Sequence, residues 1–299
     1  MQRPMVSTKD SNIVNTVSRL QACASMDHFW GERKWLDIIG ITKRDYKAFL
    51  QEQRPLSDTS ITSLADYLDV SADEIQQGTV DFRAVSTQKG DGDKVLPEPY
   101  SIAAFGRLRT TITSFDYIEE RLGWRVRADT LRHFRINEAV LSDYMAPTNM
   151  RVITDLALYM QTKHNMSDSQ LFHMGMHSSV GNRNTLIGAV LSTARDITEA
   201  YAIYIDELAK FFENNLRYTI TLLREDRCTL EAVSYRYVAE ALGVRHLGNK
   251  QVCAIRAGML ASVPHYLDQP QASVTEPLCV HRGDSVCRYE IKFPHVASL

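Results

Sequence analysis

The feature that most limits how this chain can fold is a break. The run Val85-Ser86-Thr87-Gln88-Lys89-Gly90-Asp91-Gly92-Asp93-Lys94 is polar and glycine-bearing, with Pro97 and Pro99 just beyond it. Such a segment cannot bury enough apolar surface to offset the entropy lost on ordering it. The 299 residues therefore read as two domains, 1–84 and 99–299, joined by a linker over 85–98. With 44% hydrophobic residues, the longer part has the means to bury a full core.

Everything ahead of the break reads helical. Residues 12–25 carry Ile13, Val14, Val17, Leu20 and Ala24 at helical spacing behind Ser11, a suitable N-cap. A helix from Glu32 to Ile39 is followed by a turn at Gly40 and a helix from Thr42 to Gln51 capped by Thr42. Beyond Pro55, Ser57 to Leu68 sets Ile61, Leu64, Ala65 and Leu68 on one face, and Ser71 caps a short helix that stops near Gly78.

Behind the break, residues 100–215 are mostly helical. Their strongest element runs from Asp196 to Asn214, where Ile197, Tyr201, Tyr204, Ile205, Leu208 and Phe212 make a broad apolar stripe that must lie on a sheet or a cavity wall. Strands are expected at Leu216–Leu223 and Thr229–Tyr237 about the turn Arg224-Glu225-Asp226-Arg227. A helix from about Asn249 to Tyr266 and a hairpin, Ser273–Val280 with Ser285–Phe293 about Gly283, close the chain. The fold class expected is thus α+β: an all-α bundle in front, then an α/β domain whose antiparallel β-β-α-β-β tail is covered by helices.

A net charge of −2 argues against a protein that coats nucleic acid or an anionic membrane along its length, so any DNA contact must be local. No apolar run is long enough to cross a bilayer, and MQRPMVSTKDSNIV lacks a basic head followed by an apolar stretch, so a cytoplasmic location is expected. In that reducing compartment Cys23, Cys228, Cys253, Cys279 and Cys287 are core residues, metal ligands or reactive thiols rather than disulfides.

The helical front half resembles a known family. Trp35-Leu36-Asp37-Ile38-Ile39-Gly40-Ile41-Thr42, followed by the run from Ile61 to Ile75, is similar to the helix-turn-helix of the Xre or lambda-repressor type. In that family the helix after the turn reads DNA, which implies Thr42, Lys43, Arg44, Tyr46 and Lys47; Arg33 and Lys34 add positive charge for phosphates. A helical bundle that binds a protein instead is the alternative.

The hairpin carries a second resemblance. Three cysteines with a carboxylate suit a tetrahedral cation, since their charges neutralise it and a filled shell leaves no water to activate; the C-x7-C spacing by itself is equally that of buried core cysteines. Glu276-Pro277-Leu278-Cys279 through Cys287-Arg288-Tyr289-Glu290-Ile291 resembles the closing hairpin of the 4-vinyl-reductase-type small-molecule-binding domain. That family implies a structural zinc held by Cys253, Glu276, Cys279 and Cys287. Hairpins with a Cys-x3-Gly-Asp-x2-Cys core also occur beside haem-NO-type α/β sensors. The helix after Cys253 keeps only Gly258 of the family's glycine- and aromatic-rich pattern, so no ligand class carries over.

Tyr201, Tyr204, Phe211, Phe212 and Met259 either line a ligand cavity or fill the core. His173 and His177 lie one helical turn apart, at metal-ligand spacing but without a third ligand at a matching interval, and read as a pocket edge or a surface pair. With no nucleophile elbow, phosphate loop, dinucleotide turn or H-E-x-x-H, the chain reads as no enzyme. The expectation is a homodimeric, ligand-responsive transcriptional regulator: DNA and a small apolar or aromatic effector are its partners, and zinc is its structural cofactor. The alternative is a sensor or adaptor that does not bind DNA and signals to a protein partner.

Overall fold

Strict alternation from Leu216 and the turn residues at 225–226 dictate a hairpin, and in the computed structural model of the chain this hairpin begins a four-stranded antiparallel sheet. The structure describes residues 8–24, 35–51, 54–82, 85 and 96–294, with side chains of the first helix described over 12–21. Its contacts gather into two units, Met1–Val95 with Trp124–Ser142, and Leu96–Gly123 with Asp143–Leu299. The fold is mixed helix and antiparallel sheet.

In the first unit, helices Thr8–Ala24, Lys43–Leu50, Asp58–Leu68 and Ala72–Gln77, with helical residues 35–39, enclose Val17, Leu20, Trp35, Ile39, Phe49, Ile61, Leu64, Leu68 and Ile75. Their starts are set locally. Thr42, Ser57 and Ser71 accept hydrogen bonds from backbone N–H groups of the turns they open, and Ser71 forms a capping box with Glu74. Gly78 and Asp69 end two of the helices in the left-handed region. Trp124–Phe134 belongs to this unit, where Trp124 Nε1 donates to Asn15 Oδ1 at 2.6 Å and Arg127 pairs with Glu138.

The sheet of the second unit comprises β3 (Leu216–Arg224), β4 (Arg227–Ser234), β5 (Ser273–Leu278) and β6 (Cys287–Lys292), in the order β3-β4-β6-β5. A two-stranded pair, β1 (Gly106–Arg107) and β2 (Pro147–Thr148), stands apart from it. The expected β4 reached Tyr237. Its ladder ends where Ser234 meets Leu216, and Arg236–Ala241 forms a helix instead. The expected helix from Asn249 to Tyr266 ends at Ala261 and gives way to a 3-10 turn at Val263–Leu267, because Pro264 lacks an N–H and disfavours helical geometry in the residue before it. The strands stop short of the expected ends at Val280 and Ser285: β5 ends at Leu278 and β6 starts at Cys287, with a 3-10 turn, Val280–Arg282, closed by Gly283 at φ +102°, between them.

One face of Lys250–Ala261 packs on the sheet through Cys253, Ala257, Leu260 and their neighbours. Its other face meets the helix Asp168–Met176 at backbone distance. A Cβ added at Gly258 would lie 1.8 Å from the Phe172 carbonyl oxygen, and one at Gly175 would lie 1.9 Å from that of Ile255. Neither neighbour is a side chain that can swing away.

The long apolar element forms as Ile197–Phe212, but over Tyr204–Ala209 it widens into a π-helix. Tyr201, ahead of the widening, is fully buried and donates its hydroxyl hydrogen to the Leu260 carbonyl at 2.7 Å, tying this helix to Lys250–Ala261.

Gly258→Ala and Gly175→Ala are each expected to cost about 3 kcal/mol or more, the top of the overpacking range, since only separation of the two helices relieves the clash. Urea midpoints of each variant against the parent chain measure this; a cost below about 1 kcal/mol for both would contradict the crossing.

Candidate ligand cavity and cysteine cluster

The π-helical turn supplies one wall of a cavity of about 100 Å³ inside the second unit, presenting Tyr204, Ile205, Leu208 and Ala209 to it. Opposite stand Val252, Ile255, Arg256, Met259 and Leu260 of the helix Lys250–Ala261, and Tyr218 of β3 adds its ring. The lining is mostly apolar with a few convergent polar groups, the composition of a small-molecule site.

Three of the lining residues are arginines, Arg107, Arg109 and Arg256, and the last two are buried. Arg109, 6% exposed, donates from Nη2 to Asn182 Oδ1 at 2.6 Å and to Thr185 Oγ1 at 2.7 Å, and its guanidinium carbon sits 4.7 Å from the centre of the Phe212 ring. Its Nε is buried with no hydrogen-bond partner, and burial lowers its pKa from the ordinary value. Arg256, 7% exposed, donates to the Tyr289 hydroxyl at 3.2 Å and approaches the sulfurs of Cys253 and Met150 at 4.0 Å.

On the same rim, Gly106 bridges to Glu213, and an added Cβ there would lie 2.6 Å from Asn215 Nδ2, so a larger residue would have to displace that amide. Asn215 donates to Glu213 Oε1 from its backbone N at 2.9 Å and from Nδ2 at 2.6 Å, while its own Oδ1 is buried without a partner. Burial raises the Glu213 pKa, against the hydrogen bonds from Asn215 and the charge of Arg256. The carboxyl is therefore drawn toward its neutral form.

The hairpin and the helix Lys250–Ala261 bring Cys253, Glu276, Cys279 and Cys287 together. One ligand atom from each lies within 4.8 Å of the others, close enough for the set to share a metal ion. Cys253 Sγ is 3.7 Å from Cys279 Sγ and 3.8 Å from Cys287 Sγ. A thiol hydrogen bond to Cys287, then burial, pushes Cys253 up, and the same bond holds Cys287 down. Burial pushes Cys279 up to about 11. Glu276 Oε1 is buried without a hydrogen-bond partner, and the Asp284 carboxylate fixes the turn by accepting from Cys279 N at 2.8 Å.

Of the aromatic and methionine candidates, Tyr204, Phe212 and Met259 line the cavity. Tyr201 and Phe211 do not, and both assignments are corrected. Tyr201 is core, its ring stacked on Phe293 at 5.0 Å, and Phe211, next to Phe212 and so turned about 100° from it along the helix, is 56% exposed. His173 is exposed and bonded to the Ser169 carbonyl; His177 faces Tyr117 and Glu120. Arg109, Glu213, Asn215 and Arg256 were missed. The sequence signal for the two arginines was a charge inside an apolar helical run, Leu108-Arg109 before Ile112 and Ile255-Arg256-Ala257.

In the first unit, Tyr46 is 4% exposed and donates to Gln21 Oε1 at 2.7 Å, so it cannot read a base edge. Thr42 is committed to its cap. The carboxylate of Asp45 stands among the expected reading residues, accepting from Thr42 at 2.7 Å and pairing with Arg54 at 2.8 Å, where it would repel a phosphate. Lys43, Arg44 and Lys47 are exposed; Arg33 and Lys34 lie outside the described residues.

No protein-family model matches the chain, and no curated protein matches it. Solved structures similar to it include an Fe(II) unliganded H-NOX protein from K. algicida, with 12% identity over 64% of this chain and 98% of that one and a TM-score of 0.46. Another is an H-NOX protein from S. oneidensis in the Fe(II)NO state, with 15% identity over 62% and 98% and a TM-score of 0.47. A third is an oxygen-binding H-NOX domain related to soluble guanylate cyclases, with 13% identity over 62% and 95% and a TM-score of 0.45. With no family model matching, the sequence-based family assignment is corrected: neither an Xre-type helix-turn-helix nor a 4-vinyl-reductase-type domain is supported. The expectations that rested on those families go with them, namely DNA as partner, transcriptional regulation, the homodimer and zinc as cofactor.

Glu213→Gln is expected to raise stability at neutral pH. The folded carboxyl keeps its proton to higher pH than the unfolded one, so the parent chain loses stability as pH rises through that window, and the amide removes the loss. Denaturant midpoints between about pH 5 and 8 check this; equal pH slopes for the two chains would refute it.

Proposed function

We propose that the chain is a sensor or adaptor that does not bind DNA, and whose second unit captures a small molecule and reports its presence to a protein partner. The observation that carries this reading is the buried cavity with unpaired polar atoms on its lining residues Arg109 and Asn215. Buried polar groups are almost always satisfied, so two orphans at one cavity mark a site built for a guest. The π-helical turn supports a responsive role, because such turns are less regular than the α-helix around them and concentrate at functional sites. No helix among the described residues is long and apolar enough to cross a membrane. A cytoplasmic location and a role as a binding module rather than an enzyme belong to the same proposal.

Haem, named for some of the similar structures, does not fit this cavity. Proteins hold haem iron through histidine, cysteine, tyrosinate, or methionine beside histidine, and among the described residues no histidine or cysteine lines the cavity. Its tyrosines are held in the neutral form: burial pushes Tyr218 up to about 12 and Tyr204 higher still. The space is also small. A cavity of about 150 Å³ takes one benzene, whereas a porphyrin joins four rings in a macrocycle. The chain expressed with haem supplied is expected to purify without Soret absorbance, and a stoichiometric Soret band would contradict the misfit.

Occupancy by guests of four to six heavy atoms is testable by thermal shift. At about a hundred times its Kd a guest adds about 2.7 kcal/mol, or roughly 5–10 °C in Tm for a unit of this size. Ala209→Leu, which grows a wall residue into the space, is expected to remove that shift while leaving the unliganded Tm within a few degrees. If no small guest, including xenon, stabilises the parent chain, the sensor reading is wrong.

A further inference from the structure

We infer that the guest is a short monocarboxylate of about three or four carbons, held with its anionic head against Arg109. This rests on the sensor reading of the same cavity and names the chemistry it selects. Arg109 is 94% buried by its 6% exposure, yet no carboxylate pairs with it among the described residues. Its partners are an amide oxygen, a hydroxyl and the faces of the Phe212 and Tyr144 rings, and Nε has none. Burying a charge without a counter-charge is costly, and guanidinium loses its proton too reluctantly to escape that cost by titrating.

The rest of the lining adds to the imbalance. Arg256 is a second buried guanidinium, bonded to a phenol and to sulfurs rather than to a carboxylate. The one carboxyl on the lining, Glu213, is already engaged twice by Asn215. An entering carboxylate would thus supply the counter-charge that the fold withholds, with the charge-assisted, planar geometry that suits guanidinium.

Competing chemistries fit less well. A cation would meet three like charges, those of Arg107, Arg109 and Arg256, and a neutral guest would leave Arg109 as it stands. A phosphate dianion would bring two charges and several acceptor oxygens into a mostly apolar space where one unpaired donor nitrogen awaits it. A cavity of about 100 Å³ leaves room behind the head group for a few methylenes, which Ile205, Leu208 and Ile255 would cover. The orphaned Asn215 Oδ1 is an acceptor, so a hydroxyl on that short chain is accommodated without being required.

The test uses the full chain and three probes of matched length, butyrate, butanol and butylammonium, by isothermal titration at constant ionic strength. Butyrate is expected to bind about tenfold tighter than butanol or better, with butylammonium weakest. Arg109→Met should bring butyrate down to the level of butanol while leaving butanol within about threefold. Should that variant fail to fold, carboxyl-labelled butyrate titrated by NMR on the parent chain serves instead: its bound head group is expected to stay ionised to lower pH than the free acid. Butanol binding as tightly as butyrate, or a bound head group that protonates no later than the free acid, overturns the inference and leaves the sensor reading standing. Failure of all three probes and of xenon removes both.

Discussion

The second unit depends on two helices that touch without side chains between them. Gly175 and Gly258 let Asp168–Met176 and Lys250–Ala261 cross with each added Cβ position under 2 Å from a carbonyl oxygen of the other helix. Because the crossing is this close, Lys250–Ala261 has no freedom to lift from the sheet, and its remaining residues are held at fixed positions on both of its edges. Dense packing of this kind transmits displacement rather than absorbing it. Cys253 is thereby held over the hairpin, while Arg256 and Met259 are held at the cavity.

Much of this architecture was legible because it rests on local rules. The caps Thr42, Ser57 and Ser71, the apolar face Ile61, Leu64, Ala65 and Leu68, and the alternation of β3 each follow from one short stretch, and the structure places them where those stretches require. Grouping of Cys253, Glu276, Cys279 and Cys287 was readable because the hairpin and its preceding helix lie adjacent in sequence. Family identity was the misleading part. Short capped helices joined by a glycine turn satisfy the pattern of many small bundles, and pattern alone could not show that Tyr46 points inward or that Asp45 interrupts the basic face.

The cavity was illegible for a different reason. Its chemistry comes from Arg109, Asn215 and Arg256, far apart in sequence and assembled by the fold from two helices and the start of β3. Periodicity identified the stripe that carries Tyr204 and Phe212, yet it could not separate them from Tyr201 and Phe211. A regular helix predicts one continuous face, and the π-helical turn at Tyr204–Ala209 re-aims the residues after Tyr201. A hydrogen bond between the Tyr201 hydroxyl and the Leu260 carbonyl, made across the core, then fixes which aromatic serves as structure and which as wall.

Cavity and cysteine cluster are joined through one side chain. Arg256 lines the cavity, reaches Cys253 Sγ at 4.0 Å and donates to the Tyr289 hydroxyl at 3.2 Å, so the guanidinium stands between the cavity and the cysteine cluster. The hydrogen bond between Cys253 and Cys287 holds the latter below its ordinary value, and the positive charge of Arg256 is among the causes that lower it. A negative charge entering the cavity would compete for the same guanidinium, weakening its hold on the sulfurs; a change at the sulfurs would alter what the cavity offers a guest. Reciprocity of this kind follows from any two groups that draw on one buried charge. The tail of the sheet is thus electrostatically continuous with the wall of the cavity, across a helix whose glycines leave it no room to move aside.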